Sequence, residues 1–548
     1  MRLFLKLIIT ITVFFTPFSF AATEPWAFSV LQGLVLLGWV AVLVSRSPLV
    51  YPSLFKAVTG VFGVLIGLSA VQCFFPQTLL DTIPVYPITL MRLYTLEHLS
   101  LFITYFALTL LVVQVYTSLD EVKQLVWTLI VAAGAVEMCD LLFPGGEYIT
   151  FLTGTKASTD SVGPFLNRNH AGMFLAMNAL LAVGLFFTHQ LQYYKTVTRQ
   201  QRHNFTVQQV CLALLSLGLI LAAVYSRSRG AMMALLVGLF SYSFLCFWAV
   251  PGKMRKQVKG FFYTLLLLLV SVGWIYTHLE EIGEFAHRKN AVSSEVRTML
   301  YRSAGRILEK YPVWGIGVGA MPVVINEFTE YDVHQYVERL HNDWLEITLG
   351  IGYAGAAMLL IPLLWFVILA LRRLKHLELR KQFMFAAFLS ILLSMGVGSL
   401  VDFHFFIPGC AVVFFIVLGL CNAPTFHAEH VHRFHHLFPF ILLILALMAA
   451  GYLPLQKTRC WRLDVFGSGL KTEPKLTAYE TALTYYPGPR QATRLASAYY
   501  VAAKHSQDPI VKLYYFERAL EVAQTYLEMY PKDKELSRIY VQAKRKLG

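Results

Sequence analysis

His341-Asn342-Asp343 and Glu346 stand where a long polar stretch of about sixty residues gives way to an apolar one. Asp343, followed three positions on by Glu346, reads as a capping box and predicts a helix that opens here. The positive end of that helix disfavours an imidazolium at His341, so the ring stays neutral and able to take a proton from a hydroxyl. A boundary histidine that only hydrogen-bonds a loop carbonyl would carry the same local signature.

Arginines gather at the same level of the chain. Ser226-Arg227-Ser228-Arg229-Gly230 puts two in one tight turn, and Asn167-Arg168-Asn169-His170 puts one beside a histidine and two amides. Residues Ser293–Lys310 predict an amphipathic helix lying on the membrane surface. Its polar face carries Arg302 and Arg306 with Glu295 and Glu309. Arg297 falls instead in a membrane-facing stripe with Tyr301, Ala304 and Leu308. The guanidinium fork matches phosphate oxygens bidentately, so these side chains suit a lipid-linked phosphate or pyrophosphate. Anionic lipid headgroups would meet the same groups. A neutral imidazole beside an arginine-held pyrophosphate is equipped for glycosyl transfer: the base takes the acceptor's proton, and the arginines stabilise the departing pyrophosphate.

Weaker features flank this set. No DxD or clustered carboxylates mark the outer face, so neither a metal nor a cofactor is expected. Asp402 and His404 share the short turn Val401-Asp402-Phe403-His404. The acid there would orient an arginine or a histidine, or cap a helix. Gly315-Ile316-Gly317-Val318-Gly319 does not follow a strand and is no nucleotide loop. It predicts a flexible turn that lets the loop fold back over the site.

The elements that carry these residues are membrane helices. The 548 residues are 57% hydrophobic and only 14% charged, with mean hydropathy +0.57, which excludes an ordinary soluble domain. An all-α fold of about 12–13 spans is expected: residues 1–22, 27–44, 54–75, 97–117, 121–143, 164–188, 207–225, 230–250, 259–278, 344–371, 383–401, 404–422 and 436–454. Residues 1–22 read as a signal peptide or an uncleaved first span. The net charge of +14 does not indicate nucleic acid, because the basic residues lie mostly in short loops. Three such loops, Tyr193–His203, Lys253–Lys259 and Arg372–Lys381, fall at every second crossing and should be cytoplasmic. The candidate residues then face the periplasm of a bacterial inner membrane. The histidine run His427, His430, His432, His435 and His436 lies on the cytoplasmic side as a membrane-flanking loop. The seven cysteines show no CxxC spacing and indicate neither a disulfide framework nor a zinc site.

The polar tail from about residue 455 carries helical runs at Thr493–Lys504 and Leu513–Tyr530. It resembles a degenerate tetratricopeptide helix pair, and a generic small helical domain fits as well. Either would serve for docking a protein partner. The expected organisation is an N-terminal helical region 23–150, a membrane region 151–423 with its outer loop 279–343, a last span 424–455, and a helical tail 456–548. A transporter of lipid-linked glycans is the rival class, but transporters place ionisable groups at mid-membrane, where these spans are nearly free of charge.

Residues 150–423 resemble the O-antigen ligase and polymerase superfamily. Gly163-Pro164-Phe165-Leu166-Asn167-Arg168-Asn169-His170 is similar to that family's span opening, and Ser226-Arg227-Ser228-Arg229-Gly230 to its arginine turn. Arg297 and Tyr301, then Tyr311-Pro312-Val313-Trp314-Gly315-Ile316-Gly317, follow a family motif, with tyrosines in place of its tryptophan and histidine. His341-Asn342, nine residues, Gly352, two residues and Gly355 fit a ligase signature; Ser399-Leu400-Val401-Asp402-Phe403 and Pro408 resemble a later span. The resemblance implies a helical GT-C-type fold and a glycan donor linked to undecaprenyl pyrophosphate. It also implies metal-independent transfer to lipid A–core, a growing glycan or a protein, among membrane lipids. It places the catalytic histidine on His341 and the pyrophosphate-binding arginines on Arg229, Arg297, Arg227 and Arg168. Asn167, His170, Asn342, Arg302 and Asp402 complete the candidate substrate-binding set. The tail departs from ordinary lipopolysaccharide ligases and leaves the acceptor open.

Overall fold

In hydrocarbon a backbone must bond to itself, so apolar runs of about twenty residues become helices. The computed structural model describes residues 1–46, 48–77, 84, 86–153, 160–193, 199–250, 284–329, 337–427, 431–434, 437–529 and 533–547. Among these, ten helices are long and apolar enough to cross a membrane. They are Pro25–Ser45, Phe55–Phe74, Arg92–Val115, Leu119–Leu142, Arg168–Gln190, Thr206–Tyr225, Arg229–Ala249, Asp343–His376, Leu379–Gly398 and Ile441–Val465. The protein is an all-α, multi-pass membrane protein.

The expected 12–13 spans shrink for identifiable reasons. Pro408–Cys421 is an apolar helix of only 14 residues, because Pro408 cannot extend it backwards and the preceding residues form the turn that carries Asp402. Arg2–Phe18 has 17 residues and packs into the bundle, with Ile9 wholly buried. The expected span 259–278 lies outside the described residues, as do His430, His435 and His436.

Loop contacts sort into two faces as the alternation of basic loops requires. On one face, Leu49–Pro52 pairs antiparallel with Val431–Phe434, a small ladder unforeseen in an all-α reading. Arg373 and Lys381 donate to the carbonyls of Phe426 and Thr425 on the same face. On the other, Leu90 donates to Ile316 (2.9 Å), Arg297 to Val401 (3.0 Å) and Asp343 to Ser399 (2.9 Å). Helices 168, 229, 343 and 408 all begin on this second face.

The helix expected over Ser293–Lys310 runs from Glu284 to Lys310. Its apolar stripe packs on the protein itself. Leu300, Ala304, Ile307 and Leu308 bury against Ile88, Met91, Tyr311, Ile316, Leu340 and Leu349, so this stripe faces protein. The glycine turn is likewise not flexible. Gly315, Gly317 and Gly319 hold φ of 69°, 95° and 82°. A Cβ on Gly317 would sit 2.3 Å from Thr89 Oγ1, and one on Gly319 2.3 Å from His98 Nδ1. The turn is a fixed strap. Gly352 (φ 67°, ψ −179°) breaks the Asp343–His376 helix so that Tyr353 and Ala354 can bond the carbonyls of Pro312 and Val313 (2.8 and 3.1 Å).

Beyond the long last helix, Leu437–Ser468, the tail forms four helices: Thr472–Tyr485, Pro489–His505, Pro509–Met529 and Lys534–Leu547. They share a core of their own around Leu495, Tyr499, Phe516, Val522 and Leu536. The tail touches the membrane region through Lys457 and Tyr486, both on Glu97, and Arg490 on Glu338.

Candidate active site

Among the described residues, His341 is one of six non-glycine residues with positive φ, at 55°. That conformation costs a bulky residue roughly 1–3 kcal/mol and persists only where the surroundings enforce it. Four contacts do so. Asn342, not Asp343, caps the helix: its side chain accepts the Leu345 N–H at 3.0 Å. Asp343 is instead the first helical residue, wholly buried, and accepts the Phe405 N–H at 2.9 Å. Glu346 reaches past the cap to accept the Leu340 N–H (3.1 Å), and Tyr301 donates to the His341 carbonyl (3.0 Å). The helix start is where the sequence placed it, but the reciprocal Asp343–Glu346 box is not what closes it, because Asp343 is drawn away into the 399–407 turn.

The His341 ring is held by Asp402, whose Oδ1 lies 2.9 Å from Nδ1. The histidine side chain is 33% exposed and the aspartate 4%. Burial raises the Asp402 carboxyl, but the hydrogen bond from His341 and the fields of the neighbouring histidines together outweigh it and hold the group below the ordinary carboxylate range. An ionised carboxylate can only accept, so Nδ1 carries a hydrogen and Nε2 is the ring nitrogen that Asp402 leaves for a reacting group. Asp402 also accepts from Asn169 Nδ2 (2.7 Å) and from the Phe403 N–H (3.0 Å). Phe403 stands edge-on to both His341 and His170, with ring centroids 5.0 and 4.7 Å away. Behind them His170 and His404 meet through their Nδ1 atoms at 3.3 Å. Burial pushes the His404 imidazole below its ordinary value.

The remaining expected residues divide. Arg297 turns inward and donates to the Val401 carbonyl, one residue from Asp402. Gly230 packs against Val401, so close that a Cβ would lie 3.0 Å from Cγ2, which brings the exposed Arg227–Arg229 turn to the same place. A Cβ on Gly172 would meet Ser226 Oγ at 2.4 Å, so the helix beginning at Arg168 also abuts this turn. His170 and Asp402, expected on the substrate, are buried behind His341. Asn342 is spent as a cap and Asn167 accepts the Asn169 N–H (2.8 Å). Arg168 pairs with Asp160 (3.8 Å), and Arg302 is exposed, off the buried stripe of its helix. Among the described residues no three His, Cys, Asp or Glu side chains form a metal-binding group.

Residues 213–360 match the family model described as O-Antigen ligase. That stretch, about a quarter of the chain, supports membership of the O-antigen ligase/polymerase superfamily. No curated protein matches the chain. Members of the O-antigen ligase family are glycosyltransferase-like ligases or polymerases that act on lipid-linked glycan donors and glycan acceptors. The matched stretch of this O-antigen ligase-family protein holds His341, the Arg227–Arg229 turn and Arg297. It ends before Asp402, and Asn169 lies ahead of it.

Two contributors escaped the sequence. Asn169 was visible inside the Asn167–His170 motif, but nothing local says that it faces a carboxylate 233 positions away. Arg339, two residues before His341, belongs to no motif and has no helical period to reveal it.

Proposed function

We propose that this protein transfers a glycan from undecaprenyl pyrophosphate to an acceptor hydroxyl at the periplasmic face of a bacterial inner membrane. His341 is the general base. Its Nε2 takes the proton as the hydroxyl attacks the anomeric carbon; the bond to the lipid pyrophosphate breaks, and that group leaves with the electron pair. Asp402 orients the ring and stabilises the imidazolium as it forms. Arg229 and Arg227, exposed on the turn that packs against Val401, receive the pyrophosphate, and Arg297 holds the Val401–Asp402 backbone in place. Four helices begin at this face, and their positive ends add to the attraction for an anion.

The observation that carries this reading is the His341–Asp402 contact, made by a histidine held at positive φ next to an arginine turn. His341→Ala should accumulate in the membrane and leave the lipid-linked donor unspent. Transfer at the wild-type rate with purified donor would remove His341 as the base.

The tail favours a macromolecular acceptor, either a growing polysaccharide or a protein, over a small one. Arg490 reaches Glu338, three positions from His341. Glycan analysis of a deletion strain, asking whether lipopolysaccharide, secreted polysaccharide or glycoprotein loses its sugars, separates these acceptors.

A further inference from the structure

Arg339 is the one arginine of the 337–342 segment, and its guanidinium is turned inward. Nη1 donates to Glu346 Oε1 at 2.6 Å and approaches His98 Nε2 at 3.1 Å. Its face covers the Phe406 ring, 4.3 Å from the centroid. His98 is prepared for this role. Its Nδ1 lies 2.7 Å from the Tyr94 carbonyl, so Nδ1 bears the hydrogen and Nε2 offers a lone pair to the guanidinium. Glu346 divides its oxygens: Oε1 takes Arg339 and Oε2 takes the Leu340 N–H. The Glu346 side chain is 2% exposed, so its charge depends on that cation.

These contacts enclose the two residues before His341. Leu340 is fixed by its N–H and by its buried side chain, and Arg339 ties the segment to the Arg92–Val115 helix and to the 399–407 turn. His341 follows in the left-handed region. Asp402 holds its ring and Tyr301 its carbonyl, and the way residues 339 and 340 are held sets the backbone that enters this conformation.

We infer that Arg339 is a positioning residue: with His98 and Glu346 it forms a frame that aims His341 at the reacting hydroxyl, and it does not bind the donor. This rests on the reading of His341 as the base. It sets Arg339 apart from the exposed Arg227 and Arg229.

The test uses the full-length protein in membranes with lipid-linked donor, comparing wild type, Arg339→Lys, Asp402→Asn and the double variant. Lysine keeps a cation opposite Glu346 but cannot also serve His98. For Arg339→Lys the expected result is a fall in kcat of about tenfold or more with the donor KM unchanged. Because both residues act through one ring, the double variant should lose little more than Asp402→Asn alone. A raised donor KM at constant kcat would make Arg339 a donor ligand and overturn the inference, as would losses that multiply in the double variant. If Arg339→Lys does not accumulate, His98→Gln is read by the same two measures. His341→Ala, run alongside, separates the two failures: if it is inactive while Arg339→Lys is normal, the frame is wrong and the base stands; if it is active, the base is wrong.

Discussion

Two groups of polar residues meet at the 399–407 turn and behave in opposite ways. Around His341, polar atoms are consumed by the protein: Asp402 serves His341, Asn169 and a backbone N–H, while Asn342, Tyr301 and Glu346 serve the backbone. At the Ser226–Gly230 turn, Arg227 and Arg229 carry their charge on exposed side chains. A base must be aimed to within a fraction of an ångström, which demands prior commitment of its neighbours. A site for a diphosphate must be left open to receive it. The contrast predicts that substitutions in the first group change turnover and those in the second change donor affinity.

His341→Ala should give the largest effect, a loss of about 10²–10⁴-fold in transfer, the usual contribution of a general base. Asp402→Asn comes next, up to about 10⁴-fold in kcat, because an amide can donate to Nδ1 and hold the wrong tautomer, and it cannot stabilise the imidazolium. A rise in donor KM for either variant would dissolve the comparison. Arg229→Lys should raise the donor KM about tenfold, some 1.4 kcal/mol, by losing the bidentate fork; a pure kcat effect would place Arg229 with the first group. Asn342→Ala should cost about 1 kcal/mol of stability through the lost cap, read as a lower melting temperature. Arg302→Ala should change donor KM less than about twofold, as expected for an exposed charge far from the turn.

Acidity sharpens the same distinction. The Asp402 carboxyl is held below its ordinary value, so its charge contributes stability above the unfolded value of about 3.9 and loses it only as pH falls through the folded one. The melting temperature gap between wild type and Asp402→Asn should therefore be constant from about pH 5 to 8 and close only at lower pH.

Much of this was legible before any coordinates. Most spans and the helix start at Asp343 follow from hydropathy and the local cap signal, because a bilayer imposes length on apolar runs. The stripe Arg297, Tyr301, Ala304 and Leu308 was legible as a stripe, but not which way it faced: periodicity reports that one side is buried and says nothing about whether lipid or protein covers it. The glycines at 315, 317 and 319 signalled unusual backbone, yet a flexible turn and a strap pressed on Thr89 and His98 leave the same trace in sequence.

Asp402 marks the limit most clearly. As a residue in a short turn it could cap, orient or bind, and all three were open. Sequence alone determined that an acid, three histidines and several arginines lie at one membrane face, because that depends only on where apolar runs end. Tertiary structure decided which acid meets which histidine. That depends on how the helices that begin at Arg168, Arg229, Asp343 and Pro408 approach one another, at distances set by Gly172, Gly230 and other contacts that no local pattern records.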